Sequence, residues 1–368
     1  MNDINDWLEK GEQYFNEGKY DEAIECCDEA IKLDTCCYDA WNCRGCSILD
    51  NRSYDKYLEE AVKCFDEAIK LDSEKFMAWH NKGLALRYKG FYDESLECFN
   101  KAIELNPNNF SDWYNKGYLL FGKNLHDEAI ACYDEAIKLD PDKKTAWLCK
   151  VIALEDNGLN DKAITCYDEI IKLYPMDTDI WKRKAYTYEK KYSYDEAIIC
   201  YDESLRIEPK DAKIWKYKAI VYEKKHSYDE AIICYDESLR IEPKDAGIWY
   251  SKGEILYNKG LYDKAIACFD KTLKYKSWHT PSHIWEYKGK AFNHIGLYDE
   301  ALECYDEAIK AGSTSSSTWK SKGDILKDKG LYDEAIICYD EAIRISPDNF
   351  GALRNKRKCI KAKMEHTL

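Results

Sequence analysis

Residues 113–146 read WYNKGYLLFGKNLHDEAIACYDEAIKLDPDKKTA, and residue 147 is again Trp. The same phase runs along the whole chain. Tryptophans stand at Trp7, Trp41, Trp79, Trp113, Trp147, Trp181, Trp215, Trp249, Trp285 and Trp319, spaced by 34 residues except for one step of 38 and one of 36. Self-similarity at a fixed short period marks a repeat architecture, in which each unit packs on its neighbours rather than around one central core. Function is then expected on a surface that several units build together.

Counted from its Trp, each unit carries two helical stripes. Offsets 0, 4 and 7 hold Trp, Gly and an apolar residue, one face of a helix at about 100° per residue. Gly fills offset 4 in seven units (Gly11, Gly45, Gly83, Gly117, Gly253, Gly289 and Gly323), whereas Val151, Ala185 and Ala219 fill it in units five to seven. Offsets 16, 17, 20, 23, 24 and 26 make a wider apolar stripe on a second helix, with usually Ala at 16 and 23 and usually Tyr or Phe at 20. The turn between the helices ends in Asp-Glu, expected to cap free amides of the second helix and to oppose its macrodipole. Prolines at offset 28, such as Pro107, Pro141 and Pro209, stop that helix because proline cannot continue the ladder.

The pattern W-x2-K-G-x2-L/Y, then Y-D-E-A-I-x-C-Y/F-D-E-A-I and a late Pro, resembles the tetratricopeptide repeat over residues 4 to about 348. Lys at offset 3, where the general family pattern prefers Leu, is similar to a dialect seen in methanogen-type archaeal sequences. The resemblance implies an all-α fold, a right-handed superhelical solenoid of antiparallel helix pairs. The units are then 4–37, 38–75, 76–109, 110–143, 144–177, 178–211, 212–245, 246–281, 282–315 and 316–349. A helix over 350–368, with Leu353 in the Trp slot, reads as a terminal cap, and the chain as a single solenoid with no appended domain.

Composition narrows the function. No apolar run approaches the ~20 residues that span a bilayer, and the N-terminus lacks a signal peptide's basic and apolar regions. A cytoplasmic location is expected. Of 17 cysteines, ten occupy one slot per unit, from Cys26 to Cys338. Equivalent slots in stacked helix pairs should be roughly 10 Å apart or more, beyond disulfide reach, so these cysteines read as small buried hydrophobes. The net charge of −14 and pI near 5.2 disfavour nucleic acid. That charge is uneven: residues 1–177 are net −16, 178–245 net −1 and 246–368 net +3. The repeated Asp-Glu pairs on second helices read as a solvated outer face.

The slots that vary from unit to unit are where specificity is expected. Offsets −2, 1, 2, 5, 8 and 9 lie away from the Trp stripe, and the family resemblance places them on an inner concave groove that binds extended or helical peptides. Unit four offers Tyr114, Asn115, Tyr118 and Phe121, beside His80, Asn81, Leu84, Arg87 and Tyr88 of unit three. Units six and seven offer Lys182, Arg183, Tyr186 and Lys190, then Lys213, Lys216, Tyr217 and Lys224. A partner with an apolar segment and an acidic stretch would suit these two sets. Asn81, Asn115, Lys213 and Arg183 each match one element of the family's carboxylate clamp, but no three successive units match it whole. A co-chaperone-like carboxylate binder is therefore an alternative. So is a self-assembling element, because the first helix lacks an evident capping element before it.

Other chemistry finds little support. Cys36, Cys37, Cys43 and Cys46 lie within eleven residues, but a C-x2-C on a helix is an unusual zinc frame. No phosphate loop, nucleophile elbow or zinc-protease motif occurs, so neither enzyme activity nor a cofactor or metal is expected. Trp278, alone out of register on an insertion over 277–283, is a candidate partner anchor.

Overall fold

The computed structural model describes residues 3–51, 55–275 and 282–366, and every regular element among them is an α-helix. Two compact units emerge. Met1–Pro175 holds α1 (Ile4–Asn16), α2 (Tyr20–Leu33), α3 (Tyr38–Asn51), α4 (Asp55–Leu71), α5 (Phe76–Lys89), α6 (Tyr92–Leu105), α7 (Phe110–Gly122), α8 (His126–Leu139), α9 (Lys144–Asp156) and α10 (Asn160–Leu173). Met176–Leu368 holds α11 (Thr178–Lys190), α12 (Tyr194–Ile207), α13 (Ala212–Lys224), α14 (Tyr228–Ile241), α15 (Ala246–Asn258), α16 (Tyr262–Tyr275), α17 (Ser282–His294), α18 (Tyr298–Lys310), α19 (Ser316–Asp328), α20 (Tyr332–Ile345) and α21 (Phe350–His366). Each is a stretch of solenoid: odd-numbered first helices carry the Trp, even-numbered second helices the Cys. The centre of the unit-two insertion and Trp278 lie outside the described residues.

The repeated residues each have a visible task. The Trp indole N–H donates to the carbonyl six residues earlier, as from Trp113 to Pro107 at 2.8 Å and from Trp249 to Pro243 at 2.9 Å. Trp41 and Trp79 do the same to Thr35 and Ser73, so the latch needs a carbonyl there and not a proline. Gly at offset 4 lies under the aromatic ring of the paired helix. A Cβ on Gly253 would stand 2.7 Å from the Phe269 ring, and one on Gly117 2.8 Å from Tyr133. Where the slot is Ala185 or Ala219, the facing Tyr201 and Tyr235 direct their hydroxyls to Glu189 and Glu223.

Two expectations change. The Asp-Glu pairs do not cap the second helices. The N-cap residues Phe91, Leu125, Leu159, Leu297 and Leu331 make no side-chain cap hydrogen bond, and the acids sit in the first helical turn. The tight turn already commits the N-cap amide to the preceding helix, as from Phe91 N to Leu86 O at 3.0 Å. The acids still oppose the helix dipole.

Nor is the Asp of each pair merely solvated. Lys at offset 3 meets the second-helix Asp of the previous repeat, as in Lys82–Asp66 at 2.6 Å, Lys150–Asp134 at 2.5 Å and Lys288–Asp270 at 2.7 Å, and it lies over its own unit's Trp ring. A second series joins offset 10 to the first Asp of the preceding unit's motif, as in Lys259–Asp229 at 2.5 Å. With half-exposed carboxylates each pair contributes about 0.2–1 kcal/mol. Their regular recurrence fixes the register of neighbouring repeats more than it adds stability.

The slot cysteines are buried free thiols, and burial pushes several, including Cys98, Cys132, Cys234 and Cys304, up to about 11. At the end of the second unit α21 packs on α20 through Ala352 and Cys359. Lys356 and Lys363 extend both lysine series onto Asp340 and Asp333.

Candidate peptide-binding groove

On α11, Arg183, Tyr186 and Lys190 share one stripe; on α13, Lys213, Tyr217, Ile220 and Lys224 share the next. The two helices are tied side by side. Lys224 reaches Glu189 at 3.0 Å and Lys182 lies 3.8 Å from Asp211, while Tyr217 stacks on the Tyr201 ring of α12 at 6.3 Å. Asp211 is also the N-cap of α13, accepting Lys213 N at 2.8 Å.

The eight candidates of this region divide into two groups. Lys182, Lys216 and Lys224 are held by the protein's own carboxylates. Lys182 meets Asp179 at 2.7 Å, and Lys216 meets the α15 N-cap Asp245 at 3.0 Å. Burial opposes the Lys182 charge, but Asp179 and Asp211 outweigh it and keep its pKa above the usual lysine range. Arg183, Lys190 and Lys213 are exposed and have no carboxylate partner among the described residues. Tyr186 and Tyr217 stand between them at 54% and 44% exposure, with the Lys190 ammonium 4.8 Å from the Tyr186 ring centre. What remains available is a band of three cations and two tyrosines.

The candidates of unit four fare differently. Tyr114 stacks on Phe110 at 5.8 Å, its hydroxyl lies 3.6 Å from Cys149 Sγ, and burial pushes its pKa up to about 12. Asn115 is buried and spends its amide N–H groups on Ser111. Phe121 packs against the α7–α8 core and edge-on to His126. Tyr118 alone presents an open face, at 47% exposure, with the Arg87 guanidinium 5.4 Å from its centre. Asn81, another clamp match, is buried on Asn42 and Cys46.

The four clustered cysteines do not converge. Cys36 is exposed in the turn, Cys43 hydrogen-bonds with the free thiol of Cys27 on α2, and Cys46 accepts from Asn81. Among the described residues no group of three or more His, Cys, Asp or Glu could hold a metal, and no helix is long and apolar enough to cross a membrane.

The groove also contains side-chain pairings that the sequence did not reveal. His80 Nδ1 and Asp112 Oδ1 lie 2.6 Å apart, with Asp112 wholly buried. Carboxylates line the groove as well: Glu189, Glu223, Glu254 and Asp324 each take a tyrosine hydroxyl. For Glu189 and Glu223 a legible signal is Glu at offset 8 in the same three units that lack Gly at offset 4, whereas Glu254 and Asp324 stand at offset 5.

A family model described as Tetratricopeptide repeat matches residues 80–144, 150–212 and 250–316. Further models of that description match 5–34 and 212–245, and one described as TPR repeat matches 323–356. No curated protein matches the chain. Among solved structures, YrrB, described as a TPR protein with an unusual peptide-binding site, is 22% identical over 50% of this chain and 94% of its own, with a TM-score of 0.44. A chain of Naa15/Naa10 bound to HypK-THB is 14% identical over 97% of this chain and 65% of its own, TM-score 0.47. MamA is 23% identical over 48% and 96%, TM-score 0.42. At these identities the likeness is one of fold alone.

Proposed function

The chain belongs to the tetratricopeptide repeat family, and on that premise we propose that it is a protein-interaction scaffold whose α11–α13 groove holds an acidic segment of a partner. One observation carries the reading. The register lysines beside this band are matched to carboxylates, as Lys218 to Asp202 and Lys252 to Asp236, whereas Arg183, Lys190 and Lys213 stand exposed with Tyr186 and Tyr217 between them. Carboxylates of an extended peptide would meet the cations, and its apolar side chains the tyrosine faces. The helices are already tied together, so binding demands little rearrangement. Tyr118 and Arg87 of the first unit are a second surface of the same chemical type.

The test is capture from source-organism lysate by immobilised protein, with wild type beside Arg183→Glu, Lys190→Glu, Lys213→Glu combined. A partner held by wild type, released by salt and lost by the variant supports the reading, since exposed charge contacts weaken with ionic strength. A partner held equally by both removes the basic band from the site. Recovery of further copies of the chain and nothing else favours self-assembly instead.

A further inference from the structure

The α13–α15 junction repeats the α11–α13 junction with one cation missing. At α11–α13, the Glu189 carboxylate accepts the Tyr201 hydroxyl at 2.7 Å and receives the Lys224 ammonium at 3.0 Å. One repeat later, Glu223 accepts the Tyr235 hydroxyl at 2.9 Å, reproducing the first half of that arrangement. The residue in the position of Lys224 is now Asn258, which is shorter and uncharged. Position 254 of α15 also brings a second carboxylate where α13 has Ile220. Among the described residues neither Glu223 nor Glu254 has a Lys, Arg or His within ion-pair distance. The neighbouring Lys224 is committed to Glu189.

A cavity of about 380 Å³ occupies this place. Ile220 and Ile255 give it apolar walls, Glu223 and Glu254 its negative charge, and Lys224, its ammonium held on Glu189, lines one side. Glu254 is held in position by the hydroxyls of Tyr250 and Tyr287. His226 and Tyr228 form an aromatic edge, their rings meeting edge-on at 5.9 Å with Nδ1 3.0 Å from the hydroxyl. His226 holds φ 62, in the turn position that six other units give to glycine. A non-glycine residue there costs about 1–2 kcal/mol, so an exposed ring is kept at the cavity against backbone preference.

We propose that this cavity binds a basic side chain of a partner, arginine above lysine. The aliphatic stem would lie along Ile220 and Ile255, and the guanidinium between the two carboxylates and beside the aromatic edge. Lys224 on Glu189 is the protein's own version of the same contact. The inference rests on the groove being a peptide site, and it gives the ligand a direction: acidic residues over α11 and α13, a basic residue over α15.

The test uses probes that carry no acidic segment, so its result is independent of the basic band. Protein labelled at isoleucine methyls is titrated with N-acetyl-arginine amide, N-acetyl-lysine amide and the neutral isostere N-acetyl-citrulline amide. Arginine should shift the Ile220 and Ile255 methyl signals, lysine more weakly, and citrulline should leave them in place. Glu254→Gln, which still accepts the tyrosine hydroxyls, should weaken arginine binding about tenfold. Asn258→Lys should restore the internal cation and abolish the shifts while the remaining methyl spectrum stays native. Equal shifts with citrulline, no shifts with arginine, or full binding by folded Asn258→Lys overturn the proposal. If arginine binds here yet the charge-reversed band still captures its partner, the groove reading fails and the cavity stands.

Discussion

Two tyrosine-bearing stretches drawn from the same set of groove offsets meet different fates. On α7, Tyr114, Asn115 and Phe121 are drawn into the packing, and Tyr118 alone keeps an exposed face. On α11 and α13, Tyr186 and Tyr217 stand open between cations that no carboxylate among the described residues holds. An offset therefore gives a direction in space, while the neighbouring repeat decides whether a side chain becomes structure or surface. Cys149 beside Tyr114 completes a contact within the fold; Lys190 beside Tyr186 leaves charge facing outward.

The comparison breaks most decisively at the buried pair near the first stretch. His80 is the only side-chain partner of Asp112 among the described residues, and Asp112 Oδ2 is buried without a hydrogen bond. His80→Ala should cost about 3–5 kcal/mol, the penalty of stranding one member of a buried polar pair. Denaturant unfolding followed by helical circular dichroism reads this directly. A loss under 1 kcal/mol would mean that the first stretch tolerates change as a free surface does.

A direct contrast of two groove tyrosines comes next. Tyr114→Ala should destabilise by about 2–3 kcal/mol, because the ring leaves a space against Phe110 and Tyr133. Tyr186→Ala should change stability by less than about 0.5 kcal/mol, as exposed substitutions usually do, and should instead weaken partner capture. Equal losses from the two substitutions would erase the distinction.

The fold was legible because its spacing is redundant. Trp, Gly or Ala at offset 4, and Tyr or Phe at offset 20 each recur in phase, and the helix periodicity alone pairs them. The site was legible only in part. On a helical wheel Lys182, Lys216 and Lys224 look like Arg183 and Lys213. What separates them is distant in sequence: Lys216 finds Asp245 29 positions away, and Lys224 finds Glu189 35 positions away. The recurrence of Lys182–Asp211 and Lys216–Asp245 at one spacing was a usable signal, since both acids precede a first helix and can cap it. Asn115 gave no such warning, because its partner Ser111 is a common residue in an ordinary turn of helix.

A smaller effect separates the turns on either side of the basic band. Tyr192 and His226 hold φ near 60, where Gly260, Gly296 and Gly330 serve later units. Replacing Tyr192 with Gly removes a left-handed cost of about 1–2 kcal/mol and adds about 0.5–1 kcal/mol of chain flexibility, for a net gain near 0.5–1 kcal/mol. The urea midpoint should rise. A fall would show that the edge contact of Tyr192 with Tyr194 outweighs the backbone strain.

A different fate of offset 5, the exposed slot of Tyr118 and Tyr186, appears at Asp324 on α19. Burial pushes its carboxyl up, but hydrogen bonds from Lys320, Tyr339 and Asn355 outweigh that and hold it below the usual value. A carboxylate whose pKa is lowered on folding adds stability that is complete above the unfolded value and is lost as pH falls through the folded one. Asp324→Asn should therefore lower stability at neutral pH by under about 1 kcal/mol, and the difference from wild type should shrink as the solution is acidified below the ordinary carboxylate range. Parallel urea titrations at neutral and acid pH measure that convergence. A gap constant across pH would assign the whole effect to packing. The slot would then have no separate role for an internal charge.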